Sequence, residues 1–74
     1  MLFGGTVNIK NELGFTPLHE AVEMGSRTMV EELIKNGAIL STKDAMGRTA
    51  RKLAKKRKNK SLKKYLRREE KKQK

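Results

Sequence analysis

Seventy-four residues with no cysteine, one histidine and one proline make a single small unit that has no disulfide, no cysteine-ligated metal site and no two-histidine metal site to staple it. A formal net charge of +11 points to anionic partners: an acidic protein face, nucleic acid or a lipid surface. No apolar run approaches the ~18 residues of a membrane span, and Met1–Gly5 lacks the charged-then-apolar pattern of a signal peptide. The expected compartment is therefore the cytoplasm or the nucleus.

The charge is concentrated at one end. Residues 1–50 hold five Lys/Arg and six Asp/Glu, a net of −1, whereas residues 51–74 hold fourteen Lys/Arg against Glu69 and Glu70, a net of +12. A spacing of 33 residues recurs along the chain: Gly14 and Gly47, Thr16 and Thr49, Ala21 and Ala54, Leu33 and Leu66. Gly37, Leu40 and Lys43 fall on Gly4, Val7 and Lys10 at the same spacing. The chain divides into the tail of one repeat (1–10), a complete repeat (11–43) and a degraded one (44–66). No apolar residue follows Leu66, so the basic stretch 67–74 is expected to be disordered.

The elements follow in chain order. Asn11–Gly14 has turn chemistry. Thr16 caps a helix whose first position is Pro17, where the missing N–H costs nothing. Leu18, Ala21 and Val22 continue it at helical spacing, and Gly25 suits a left-handed terminus. Ser26 opens a second helix carrying the stripe Met29, Val30, Leu33 and Ile34, and Asn36-Gly37 closes it. Asp44–Gly47 repeats the turn, Thr49 the cap, and Lys58-Asn59-Lys60 the turn between helices.

The run Gly14-Phe15-Thr16-Pro17-Leu18-His19-Glu20-Ala21, followed by Gly25, Val30, Leu33-Ile34 and Gly37-Ala38, closely resembles the ankyrin repeat. The resemblance is strong over 7–50 and loose over 51–66. It implies an all-α solenoid of helix–turn–helix units with short projecting β-turn loops. It also implies a structural role for Gly14, Thr16, Pro17, Leu18, His19, Ala21, Gly25 and Gly37. The histidine, with the threonine, would hydrogen-bond backbone between repeats and not act as an acid, base or ligand. No cofactor and no enzyme activity are expected. Glu12, Glu20, Glu23, Glu31, Glu32 and Asp44 read as solvated positions.

The family binds other proteins with its loop tips and the exposed side of its first helices. Carried over, that surface comprises Lys10, Glu12, Leu13, Phe15, Glu23 and Met24 from one repeat, and Lys43, Ala45, Met46, Arg48, Lys56 and Arg57 from the next. Leu13, Phe15, Met24 and Met46 are apolar where solvent-facing residues would serve, which suits a binding anchor. Leu13 and Phe15 equally suit bracing of neighbouring loops. The expected partner is a protein or peptide with an apolar anchor and an acidic rim.

In the second repeat Leu18, His19, Val22, Val30 and Ile34 give way to Arg51, Lys52, Lys55, Lys63 and Arg67. A terminal repeat needs a polar outer face, so a solenoid cap is the plainest reading. Arg51, Lys52, Lys55, Lys56, Arg57 and Lys58 also fit a nuclear-import signal, or weak, non-specific and salt-sensitive contact with nucleic acid. Leu53, Leu62 and Leu66 give a basic amphipathic spacing, but the turn at Lys58–Lys60 interrupts it. Repeat arrays generally need three or more units, so the chain is expected to be the C-terminal piece of a longer array or to complete itself by self-association.

Overall fold

The computed structural model describes residues 8–73. The proposed tail of a preceding repeat, 1–10, lies mostly outside them. Four helices make up the described region: α1 (Pro17–Met24), α2 (Arg27–Lys35), α3 (Ala50–Lys56) and α4 (Lys60–Lys72). No strand occurs among the described residues.

Each helix starts where a side chain can accept an otherwise unpaired backbone N–H. Thr16 Oγ1 accepts from His19 N, Ser26 Oγ from Met29 N, Thr49 Oγ1 from Lys52 N and Asn59 Oδ1 from Leu62 N. At α1 the bond is reciprocated: His19 Nδ1 accepts the Thr16 N–H, which makes a capping box with histidine in place of the usual glutamate. Gly25 ends α1 at φ +70°, and its repeat counterpart Lys58 adopts φ +58°. Lys58 is the only residue other than glycine with positive φ among the described residues. A Cβ makes that conformation costly. Lys58→Gly is therefore expected to stabilise the chain by about 0.5–1 kcal/mol, after allowance for the greater freedom of glycine in the unfolded state. A lower melting midpoint for that variant would contradict this.

α1 packs on α2 and on α3, and α3 packs on α4. Leu18, Ala21, Val22, Val30 and Leu33 of the first helix pair join Ala50, Leu53, Ala54, Leu62 and Leu66 of the second in one buried cluster, completed by Ala38 and Leu40. The α1–α3 contact is the seam between repeats. The loops are joined as well: Asn8 Nδ2 donates to Gly37 O (3.2 Å) and Asn8 Oδ1 accepts from Ile39 N (2.9 Å).

The disordered tail expected from residue 67 is corrected by the structure. α4 continues to Lys72, because polar contacts replace the missing apolar ones. Glu70 pairs with Arg51 (3.2 Å) and Glu69 with Lys72 (3.0 Å). The Gln73 side chain accepts from Leu40 N (3.0 Å) and donates to Ala38 O (2.8 Å), tying the end of α4 to the loop between the repeats.

Candidate functional site

The two projecting loops are the same device built twice. In the first, Asn11 Oδ1 accepts from Leu13 N (2.9 Å) and Phe15 N (3.0 Å). Asn11 N donates to Phe15 O and Gly14 N to Asn11 O, closing the turn. In the second, Asp44 Oδ1 accepts from Met46 N (2.9 Å) and Arg48 N (2.8 Å), while Asp44 N and Gly47 N repeat the backbone pair. An Asn or Asp side chain that bonds backbone two residues on is the Asx-turn geometry.

Asp44 was expected to be solvated; its side chain is fully buried, and this is a correction. The turn at Asp44–Gly47 is legible in the sequence; the burial of the Asp44 side chain is not. Its second oxygen pairs with Arg48 Nε at 3.0 Å. Burial by itself pushes the carboxyl pKa up. The Arg48 N–H, the Arg48 guanidinium and the Met46 N–H outweigh burial and hold it below the usual carboxylate value.

His19 fastens this loop to the preceding repeat. Nδ1 accepts from Thr16 N and lies 2.9 Å from Thr16 Oγ1, so Nε2 carries the proton and donates to Arg48 O at 2.8 Å. The same carbonyl accepts from Asp44 N. The ring is buried, with both nitrogens engaged in structural bonds. Gly14 completes the join. At φ +79° it lies against the second loop so closely that a Cβ there would meet Ala45 N at 2.5 Å.

This bracing brings the loop tips together. Leu13 and Met46 occupy equivalent positions in the two turns and stand 66% and 75% exposed. Lys10, Glu12, Lys43 and Ala45 are exposed around them, and Arg48 is half-buried beneath. Phe15 is elsewhere. It packs against the core and stacks on the His19 ring, with centroids 5.8 Å apart. Met24 is 69% exposed but ends α1, about 10 Å along the axis from the loop end. Glu23 and Arg57 form an ion pair with each other across the repeats, and Lys56 is exposed beside them.

The cationic residues fall into paired and unpaired sets. Arg51 bonds Glu70 and Arg57 bonds Glu23. Lys52, Lys55, Lys56 and Lys58 are exposed and make no ion pair among the described residues. Arg51, Lys52 and Lys55 line one shallow cleft together with Lys63 and Arg67, neither of which was picked out as a contact residue. Their 33-residue correspondence to Val30 and Ile34 is the signal that would have found them. On the opposite side of α4, Arg27 lies over the Tyr65 ring at 4.9 Å.

No group of three or more potential metal-ligating side chains occurs among the described residues. No helix there is long and apolar enough to cross a membrane.

Stacked helix pairs with capped helices and paired turns define a helical-repeat protein. The family model described as ankyrin repeats (3 copies) matches residues 1–74, and the chain belongs to the ankyrin-repeat family. A search of curated proteins finds no match. Ankyrin repeats are generally protein–protein interaction modules and typically non-catalytic.

Proposed function

We propose that this chain is a non-catalytic interaction module that holds a protein or peptide partner at its paired loop tips. One observation carries the reading: Leu13 and Met46 are large apolar side chains projecting from adjacent turns whose backbones are fixed by Asn11, Asp44 and His19. Apolar groups on a rigid support lose little entropy when covered, which is the property of a binding anchor. Lys10 and Lys43 stand exposed around them against Glu12 alone, Arg48 being held by Asp44, and the small positive excess favours acidic flanks on the partner. Glu23 and Arg57 contribute less, because each must give up the other before it can serve a partner. The cytoplasm and the nucleus both suit such a module.

A photo-crosslinking residue at Met46 identifies the partner, and titration with that partner in purified form measures the interface. Leu13→Ser with Met46→Ser is expected to weaken binding at least tenfold, with the melting midpoint unchanged because both side chains are exposed. Unaltered affinity, or a loss matched by lost helicity, would refute the proposal.

A further inference from the structure

We infer that the outer face of the second repeat, the groove between α3 and α4, is a second binding surface that takes the phosphate backbone of duplex nucleic acid. In the first repeat Leu18, His19, Val22 and Val30 are buried and Ile34 is half-buried. The residues 33 positions on, Arg51, Lys52, Lys55, Lys63 and Arg67, together line one cleft of about 300 Å³. The apolar face of one repeat thus becomes a cationic face in the next. A neighbouring cleft of about 210 Å³ shares Lys55 and Lys63 and adds Lys58 and Lys60. The two form a continuous track, and no carboxylate lines either. Of its cations only Arg51 is ion-paired among the described residues, to Glu70.

The chemistry of the track selects its occupant. A solvated cap needs polar residues, but mixed or neutral ones serve, and seven like charges on one face repel each other. The core of a protein interface is depleted in charge and built on apolar anchors; no large apolar side chain lines either cleft. Single strands are held by bases stacked on aromatic rings. Tyr65, the aromatic residue of the basic half, lines a different cleft with Arg27, Ser61, Lys64 and Arg68. Phosphate backbone asks only for spaced cations, whose binding releases condensed counterions. Six of the seven cations, Lys52, Lys55, Lys58, Lys60, Lys63 and Arg67, make no ion pair among the described residues, enough to neutralise about five phosphates. The resulting contact is independent of base sequence and separate from the loop tips.

The test is a salt titration of the full chain with a mixed-sequence 20-base-pair DNA duplex. With about five phosphates neutralised, log K should fall against log[salt] with a slope near −4.5, a loss of about 500-fold between 50 and 200 mM. Lys52→Gln/Lys55→Gln/Lys63→Gln should reduce the slope by about 3. Lys35→Gln/Lys64→Gln/Arg68→Gln removes the same charge from outside the track and should leave the slope within about 0.5. The duplex should also raise the melting midpoint of the parent chain, and that of the first triple variant by clearly less. Equal slopes for the two triple variants would overturn the assignment to this face. Polyglutamate bound as tightly as the duplex would overturn the phosphate assignment, and absence of duplex binding at 50 mM would overturn both. Circular dichroism shows whether each variant stays folded. If the first triple variant has lost helicity, Lys55→Gln alone decides the matter, with an expected slope change of about 0.9.

Discussion

Gly14→Ala is expected to destabilise the chain by about 2–5 kcal/mol, and Gly47→Ala by only about 1–2 kcal/mol, although the two glycines hold equivalent places in the repeat. Both have positive φ, +79° and +76°, so both lose about 1–2 kcal/mol when given a Cβ in the left-handed region. Their surroundings separate them. A Cβ at Gly14 meets backbone and side chain of Ala45 at 2.5–3.1 Å, whereas a Cβ at Gly47 has nothing within 4 Å. The atom struck at Gly14 is a backbone nitrogen in the next loop, which cannot turn aside as a long side chain would. The loops must therefore part, stretching the His19 Nε2–Arg48 O bond between the repeats. A chain this small has a thin stability margin, and a loss at the upper end leaves a substantial unfolded fraction at 37 °C. Urea melts of both variants measure the difference. Equal losses would mean that the loops do not press on each other in solution.

Asp44→Ala is expected to cost about 2–3 kcal/mol, because it strips the acceptor from the Met46 and Arg48 amides and leaves the Arg48 guanidinium without its partner. Asp44→Asn should cost less, about 1 kcal/mol. Asn11 shows that an amide oxygen suffices to hold the turn, and only the charge-assisted bond to Arg48 is lost. The parent chain also differs from both variants in its pH dependence, because only it carries the Asp44 carboxyl. The folded chain holds the Asp44 pKa below the usual carboxylate value. That bias contributes stability in full above the unfolded-state value of about 3.9, and the contribution is lost as pH falls through the folded value. The advantage of the parent chain over Asp44→Asn should therefore be constant near neutrality and shrink in the acid range below about pH 4. Melting midpoints from pH 2 to 7 test this. A constant gap across that range, or an asparagine variant as unstable as the alanine one, would show that Asp44 does not hold the turn as described.

The sequence by itself determined the class of fold and the places where helices begin. Those features depend on local chemistry: Thr16, Ser26, Thr49 and Asn59 each satisfy an N–H three residues on, and Pro17 has none to satisfy. Of the apolar stripe Met29, Val30, Leu33 and Ile34, Val30 and Leu33 are buried, Ile34 packs partly against the core and Met29 is exposed; the 33-residue recurrence of Leu33 in Leu66 marked a core position as well, since burial follows helical spacing. Tertiary structure decided what depends on distant partners. Composition alone gives residues 67–72 no reason to order, but Glu70 finds Arg51 and Gln73 finds the Ala38–Leu40 backbone, and α4 runs on. An aspartate in a polar loop reads as solvated until the turn folds over it, as happens at Asp44. Phe15 reads equally as an anchor for a partner or a brace, and only the folded chain shows it half-buried and stacked on His19. Leu13 and Met46 become one surface only because the loops lie side by side. The terminal cations likewise become one track because α4 folds back along α3 and sets Lys63 and Arg67 beside Arg51, Lys52 and Lys55.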